Sequence, residues 1–217
     1  MGSIKTIIFD AYGTLYDVQS VTTTLDNFYP KKGAEISKSW REKQIEYSLL
    51  RELMGNYLSF YEITKDALLY AIEKHGETVN KQQTKTLLEV YLHLKPYPEV
   101  KGVLSQLNHQ QLAIFSNGSH NMLDPLVKNT GMKNYFEQVI SVDEIKHFKP
   151  TIAAYDYATK KLGIRKDEIL FVSSNGWDIS GAKNYGFHTA WINRKQLPIE
   201  KLNLTPDSIY TDLTGIL

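Results

Sequence analysis

The sequence predicts an α/β protein in which a parallel sheet is covered by helices on both faces. Short apolar runs alternate with segments of helical periodicity between residues 96 and 217, and a further apolar run lies near residue 5. The interval 16–95 breaks this alternation, because it shows helical patterns and no convincing strand. We therefore predict a core domain of residues 1–15 and 96–217, with a helical cap subdomain of residues 16–95 inserted after the first strand.

The predicted strands of the core are short apolar runs bounded by polar residues or turn residues. They cover residues 5–9, 111–115, 138–141, 169–172, 188–192 and 208–210. Apolar residues at helical spacing predict helices over 100–107 and 153–162, and a third helix ends near Tyr185. Gly163 and Gly186 follow two of these helices, as glycine often does at helix C-termini.

Four helices are predicted in the cap subdomain. They cover residues 20–29, 36–54, 60–74 and 80–94. The sequence Lys-Pro-Tyr-Pro at 95–98 is predicted to be the return linker, because each proline biases its predecessor toward extended conformations. We expect the insert to form a lid that excludes water at the strand ends, with a helical subdomain that has no gating role as the alternative.

The composition of the chain excludes several functional classes. Its 217 residues carry a net charge of +1, and we expect neither nucleic acid nor a membrane as a partner. Cysteine is absent, which excludes disulfides and a thiol nucleophile. No apolar segment approaches the roughly 20 residues of a membrane helix, and no signal peptide is visible. We therefore expect a cytoplasmic globular protein.

Polar clusters follow several predicted strands at the edge where open α/β sheets bind ligands. Asp10 follows the first strand, although a helix N-cap would also explain a lone aspartate there. Ser116 and Asn117 follow the second strand and suit an anion cradle or an ordinary capped turn. Lys149 precedes a proline that we expect to open a helix, and a dense polar run occupies 173–178.

Together these clusters resemble the motifs of the haloacid dehalogenase (HAD) superfamily, and within it the L-2-haloacid dehalogenases. The motifs are Asp-Ala-Tyr-Gly-Thr-Leu at 10–15, Ser-Asn-Gly at 116–118, Lys-Pro at 149–150 with Tyr155, and Ser-Ser-Asn-Gly-Trp-Asp at 173–178. The resemblance covers essentially the whole chain and implies a Rossmann-like parallel sheet core with a helical cap. Gly176 stands where such enzymes commonly carry alanine.

Position 12 separates two branches of this superfamily. Its phosphatases carry a second aspartate two residues after the nucleophile as general acid and base, and here that residue is Tyr12. A phosphate ester expels an alkoxide, so the loss of a positioned acid should cost roughly 10²–10⁴ in rate. A halide leaves without a proton. Tyr12 therefore favours carbon–halogen cleavage.

The resemblance implies that Asp10 attacks C2 of an L-2-haloalkanoic acid and forms an ester, with inversion at C2. Halide would leave toward Arg41 of the cap and the amide of Asn117. Water would then hydrolyse the ester and release a D-2-hydroxy acid. The residues with catalytic roles in this scheme are Asp10, Thr14, Arg41, Lys149, Tyr155, Ser173, Asn175 and Asp178.

Each catalytic residue has an expected task. Lys149 should keep Asp10 ionised, Thr14 should brace Asp10, and Tyr155 should support Lys149. Three residues after the fourth strand are expected to position the hydrolytic water, namely Ser173, Asn175 and Asp178.

The substrate carboxylate should be held by Ser116 and by backbone N–H groups near Ala11, Tyr12 and Asn117. Apolar walls are expected from Ile45, Phe60 and Trp177.

The scheme requires no metal and no other cofactor, because Lys149 and Arg41 supply the positive charge. Mg²⁺ binding by Asp10 and Asp178 stays open, as it would in a phosphatase of the superfamily. A Mg²⁺-dependent phosphatase and a non-catalytic interaction module are the alternative functions. The expected partners are a 2-haloacid and halide, and an exposed apolar helix of the insert could support a homodimer.

Overall fold

The computed structural model describes residues 4–217, which form eight strands and eight α-helices. The strands are β1 (Thr6–Phe9), β2 (Tyr16–Asp17), β3 (Lys95–Pro96), β4 (Gln111–Ser116), β5 (Gln138–Ser141), β6 (Ile169–Ser173), β7 (His188–Ile192) and β8 (Ser208–Tyr210). The helices are α1 (Thr22–Phe28), α2 (Gly33–Leu53), α3 (Phe60–Lys74), α4 (Lys81–Val90), α5 (Val100–Gln106), α6 (His120–Asn129), α7 (Ile152–Leu162) and α8 (Gly176–Tyr185).

Six strands form one parallel sheet in the order β5-β4-β1-β6-β7-β8. All four residues of β1 are buried, because this strand lies inside the sheet and helices cover its faces. The predicted α/β class and the positions of all six predicted strands are confirmed. The strand order places the carboxyl ends of β4, β1 and β6 side by side.

A two-stranded antiparallel ribbon pairs β2 with β3, and the sequence did not predict it. The expected linker at 95–98 is extended, as its prolines imply, but its first two residues pair with Tyr16 and Asp17. This ribbon joins the two ends of the interval 16–95. We propose that it marks the boundary between core and cap.

The helices of the interval 16–95 agree with the predicted ones to within a few residues. The structure has α3 at the predicted 60–74, while α2 begins three residues before the predicted 36. Trp40 of α2 is fully buried and donates its indole N–H to the carbonyl of Thr64 on α3 over 2.8 Å. None of the helices in residues 4–217 combines the length and apolar character needed to cross a bilayer.

One local prediction is wrong, and one helix was not predicted. Pro150 does not open a helix, because α7 begins at Ile152 with Thr151 as its N-cap, and the Thr151 hydroxyl accepts from the N–H of Ala154 over 3.4 Å. Helix α6 was not placed from the sequence, and it contains Pro125 in its interior. Proline inside a helical pattern ordinarily indicates a helix end, so Pro125 argues against the helix that the structure shows here.

Candidate active site

The candidate site lies at the carboxyl ends of the three central strands. Asp10 follows β1, Ser116 ends β4, and Ser173 ends β6. Lys149 lies in the segment between β5 and α7. Because neighbouring parallel strands end at one edge, residues more than a hundred positions apart meet there.

Asp10 is buried, and its carboxylate is held by three donors. Its Oδ1 accepts from Lys149 Nζ at 3.0 Å. Its Oδ2 accepts from Thr14 Oγ1 and from Asn175 Nδ2, both at 2.9 Å. Gly13 has a φ of +92°, which a residue with a side chain rarely adopts, so the chain can turn back and bring Thr14 to Asp10. These contacts fix the direction of the carboxylate.

The ammonium of Lys149 is fully buried between two carboxylates. Its Nζ donates to Asp10 Oδ1, to Asp178 Oδ2 at 2.6 Å and to the carbonyl of Phe115 at 3.1 Å. Burial acts to lower the pKa of Lys149, but Asp10 and Asp178 outweigh it and the net pKa is raised. Lys149 is therefore a permanent cation at neutral pH.

Asp178 lies behind Lys149 and is completely buried. Its Oδ1 accepts from the Tyr155 hydroxyl at 2.8 Å, and its Oδ2 accepts from Ser173 Oγ at 3.3 Å as well as from Lys149. Burial raises the pKa of Asp178 to about 6. Tyr155 thus supports Lys149 through Asp178, and within residues 4–217 no hydrogen bond joins its hydroxyl to the lysine Nζ.

Arg41 reaches the same strand ends from the opposite side, on helix α2. Its guanidinium donates to the carbonyl of Tyr12 at 3.0 Å and to Asn175 Oδ1 at 3.4 Å. Since Asn175 also donates to Asp10, one side chain separates the cap guanidinium from the core carboxylate. The structure therefore brings the two groups to one site.

The loop after β4 is held by contacts of its own. Ser116 Oγ accepts from the N–H of Gly118 at 3.0 Å. The amide of Asn117 bonds the backbone of Lys149 at both ends, with its oxygen at 2.9 Å and its nitrogen at 3.4 Å. A Cβ at Gly118 would lie 2.7 Å from the Tyr12 ring, so only glycine allows that ring to lie against the loop. Asn117 thereby holds the lysine segment in place.

A small cavity of about 20 Å³ lies between these groups. It is lined by Asp10, Tyr12, Arg41, Ile45, Ser48, Leu49, Phe60, Ser116, Asn117, Lys149, Asn175 and Trp177. Ser48 and Leu49 were not predicted, although they follow Arg41 by seven and eight residues and so share its helix face. That periodicity, read from Arg41, would have found them.

Five predicted site residues do not line this cavity. Four of them lie behind Asp10 and Lys149. Thr14 bonds Asp10 and Asp178 bonds Lys149, Ser173 Oγ accepts from the N–H of Asn175, and the Tyr155 hydroxyl bonds only Asp178 among residues 4–217. Ala11 is fully buried, and its carbonyl accepts the N–H groups of the turn that follows Asp10.

An open cleft of about 510 Å³ lies next to the cavity. The two share Arg41, Ile45, Asn175 and Trp177. Four basic side chains and two acidic ones line this cleft, namely Lys38, Arg41, Arg194, Lys195, Glu42 and Glu200.

A buried carboxylate at the end of the first strand of a parallel sheet, one side chain away from a guanidinium of an inserted helical segment, is an arrangement that suits a hydrolase with a carboxylate nucleophile. The model of the haloacid dehalogenase-like hydrolases matches residues 4–186. The chain belongs to this family and, within it, to the L-2-haloacid dehalogenases, which confirms the resemblance seen in the sequence.

Two relatives and one solved structure illustrate the similarity. Haloacetate dehalogenase H-2 of Moraxella sp. strain B is 46% identical over 209 residues, which cover 95% of this chain and 93% of the relative. The (S)-2-haloacid dehalogenase of Pseudomonas sp. strain YL is 42% identical and covers 100% and 94%. The L-2-haloacid dehalogenase of Xanthobacter autotrophicus with chloropropionic acid covalently bound has a TM-score of 0.93, 37% identity, and coverage of 98% and 96%.

Proposed function

We propose that this protein hydrolyses L-2-haloalkanoic acids to D-2-hydroxy acids and halide. The observation that carries the proposal is that Asp10, oriented by three donors, and the guanidinium of Arg41 line the same small cavity. The names of the relatives, which act on haloacids and haloacetate, support the same class of substrate.

In the first step the Asp10 carboxylate forms a bond to C2 while the carbon–halogen bond breaks. The halide takes the bonding electron pair and leaves toward Arg41, so no proton is needed. Positioning of this kind can supply ~7–11 kcal/mol of the barrier. We assign the halide mainly to Arg41, since the amide of Asn117 already bonds the backbone of Lys149.

In the second step water adds to the carbonyl carbon of the Asp10 ester. The bond between that carbon and the ester oxygen then breaks, and the leaving alkoxide takes up the proton that the water lost, so the product keeps the oxygen of Asp10 as its hydroxyl and the inverted C2. We assign Ser173, Asn175 and Asp178 to this step. With a pKa of about 6, Asp178 is ionised at neutral pH. Because it lies behind Lys149 and does not line the cavity, the proton that water loses would reach it through Lys149 Nζ, which donates to Asp178 Oδ2 at 2.6 Å.

We assign the substrate carboxylate to Ser116 and to backbone N–H groups near Ala11, Tyr12 and Asn117. Within residues 4–217, the Tyr12 hydroxyl is buried without a hydrogen-bond partner, and so is the indole N–H of Trp177. Burial also raises the pKa of Tyr12, so its hydroxyl stays a donor. An anionic substrate would satisfy both groups, because both side chains line the cavity.

The apolar part of the substrate would contact Ile45, Phe60 and Trp177. The ammonium of Lys149 lies between Asp10 and Asp178, at 3.0 and 2.6 Å, and supplies positive charge beside the proposed nucleophile. We therefore propose a reaction that uses no metal and no other cofactor.

One assay separates the proposed function from its alternatives. The protein is incubated with L-2-chloropropionate in EDTA, and chloride release is followed; a generic phosphate ester with Mg²⁺ is tested in parallel. We expect chloride release without metal and its loss in Asp10→Asn, because an amide is a poor nucleophile. Release of phosphate without chloride would indicate the phosphatase, and release of neither would indicate a non-catalytic module.

A single turnover in ¹⁸O-labelled water tests the ester intermediate. The oxygen of the first hydroxy acid should be unlabelled, because it comes from Asp10. Label in that first product would mean that water attacks C2 directly.

We also propose that the chain forms a homodimer through the end of α2. Leu53 and Met54 are 83% and 65% exposed there, and Leu50 and Tyr70 extend the same apolar patch. Sedimentation equilibrium should give twice the chain mass for the wild type and a lower mass for Leu53→Glu. A monomeric wild type would contradict the proposal.

A further inference from the structure

A glutamine lies fully buried inside the interval 16–95, on the helix that carries Arg41. Gln44 has no exposed surface, and a buried amide is costly unless its oxygen and nitrogen are both hydrogen-bonded. We infer that Gln44 is a positioning residue: its neutral oxygen orients the Arg41 guanidinium and leaves the positive charge available to the departing halide. The halide part of this inference rests on the proposed function.

The hydrogen bonds of Gln44 form part of a chain that leads from Arg41 to the backbone of α3. Its Oε1 accepts from Arg41 Nη1 at 2.6 Å, and its Nε2 donates to Thr64 Oγ1 at 2.7 Å. The Thr64 hydroxyl in turn donates to the carbonyl of Phe60 at 2.6 Å. Because a guanidinium only donates, the oxygen of Gln44 must face Arg41, and the backbone of α3 fixes the other end. The guanidinium is therefore anchored to two cap helices.

All groups that hold Arg41 are neutral. They are the oxygens of Gln44, Tyr12 and Asn175, and no carboxylate lies within 4.0 Å of this guanidinium among residues 4–217. These contacts use three of the five N–H groups of an arginine. A glutamate at position 44 would fill nearly the same space but would pair with the charge. An amide at position 44 thus fills the space and leaves the charge of Arg41 available to an anion, whereas a carboxylate would neutralise that charge.

The nature of the leaving group gives a specific readout. Chloride is a poorer leaving group than bromide and so depends more on stabilisation by Arg41. Gln44→Leu removes the anchor, and a misplacement of about 1 Å can cost ~10²-fold in rate. We expect kcat for L-2-chloropropionate to fall roughly 10–100-fold and kcat for L-2-bromopropionate to fall less. The bromo-to-chloro ratio of kcat should therefore rise.

Gln44→Glu tests the charge separately from the shape. This variant keeps an oxygen facing Arg41 but neutralises the guanidinium. We expect the dissociation constant for chloride, measured on the resting protein by ³⁵Cl NMR line broadening, to rise about tenfold or more, which corresponds to roughly 1.4 kcal/mol.

Ser39→Ala is the matched control. Ser39 is also buried on α2, and its Oγ bonds the ring of His75 at 2.9 Å. It precedes Arg41 by two residues and therefore lies on another face of the helix, so its loss removes a buried hydrogen bond away from Arg41. The kcat ratio and the chloride affinity of this variant should equal those of the wild type. Melting temperatures identify any variant that fails to fold.

The outcomes separate this inference from the proposed function. If the wild type releases no halide from any haloacid, the proposed function fails, while chloride binding to the wild type and to Gln44→Glu still decides the inference. If Gln44→Glu folds and binds chloride as tightly as the wild type, the inference is wrong. An unchanged bromo-to-chloro ratio in folded Gln44→Leu would also overturn it.

Discussion

The site has a core side, formed by Asp10, Lys149 and Asp178, and a cap side, formed by Arg41. Charged groups have charged partners on the core side and, among residues 4–217, only neutral partners on the cap side. On the core side Asp10, Lys149 and Asp178 are buried in direct contact, so each charge is partnered by another. On the cap side Arg41 contacts only neutral oxygens within residues 4–217. The core groups are thus assembled before substrate arrives, whereas the cap holds a charge that lacks a counterion.

This difference follows the chemistry that each side must perform. The nucleophile must keep one direction and one ionisation state through two steps, which a fixed network of charges provides. The leaving group is an anion that exists only after the first step. An arginine held by neutral dipoles can bind such an anion without first breaking an ion pair. Variants that disturb one side should therefore show different signatures from variants of the other.

The largest effect should come from Lys149→Met. Two carboxylates, Asp10 and Asp178, would then lie buried without their shared cation, and breaking a buried pair typically costs ~3–5 kcal/mol. We expect no measurable chloride release and a clear loss of stability in urea unfolding. Adding Asp178→Asn should recover stability but not activity, while Lys160→Met at an exposed ion pair should change neither.

The second effect is a pH dependence that belongs to the core side. The folded-state pKa of Asp178 is about 6, whereas an aspartate in an unfolded chain titrates near 4. Between these values the folded protein holds a proton that the unfolded chain has lost. Stability from this group is therefore present below pH ~4 and is lost as the pH rises through about 6.

Activity should change in the opposite direction, because the ionised Asp178 is the proposed base. We expect kcat to rise with pH through about 6. Over the same range, the free energy of unfolding of the wild type in urea should fall relative to that of Asp178→Asn. A kcat profile that is flat from pH 5 to pH 7 would contradict the assigned role of Asp178.

A third, smaller effect should come from Arg41→Lys on the cap side. The charge stays, but a single ammonium cannot contact Gln44 and the Tyr12 carbonyl together as the guanidinium fork does. We expect kcat for L-2-chloropropionate to fall roughly 10–100-fold with little change in stability. Arg51→Lys, farther along the same helix, is the control. Loss of stability comparable to that of Lys149→Met would remove the distinction between the two sides.

The sequence revealed the core side better than the cap side, for physical reasons. Apolar runs ended by polar residues predicted every strand of the parallel sheet, and strand ends meet by topology alone. The ribbon of Tyr16–Asp17 with Lys95–Pro96 was not predicted, because strands of two residues are too short to show a hydrophobic periodicity. The role of Gln44 was not predicted either, since the sequence does not show whether a glutamine in a helix is buried or exposed. The resemblance to a family supplied Arg41, which helical spacing would have left on a solvated face.

A further contact between the two sides lies at the end of α2, and the sequence could not predict it. Glu52, at the end of α2, accepts the N–H of Phe148 at 2.8 Å and contacts the ring of His147 at 2.9 Å. Its two carboxylate oxygens thus bond the segment that leads directly into Lys149. The partners are separated by 96 residues, so only the docking of α2 brings them together.

Glu52→Ala should therefore give the smallest effect of the four variants. Lys149 keeps its bonds to Asp10 and Asp178, and its backbone keeps its bond to Asn117, so the lysine loses only one indirect support. We expect kcat to fall a few-fold, because a hydrogen bond to a charged group contributes about 1.5–3 kcal/mol and only part of this acts on the lysine. Glu52→Gln, which keeps an acceptor for the Phe148 N–H, should restore most of the rate, and exposed Glu46→Ala should match the wild type. If Glu52→Gln is as slow as Glu52→Ala, the charge beside His147 matters more than the bond to Phe148, and the link from the cap to Lys149 would need another route.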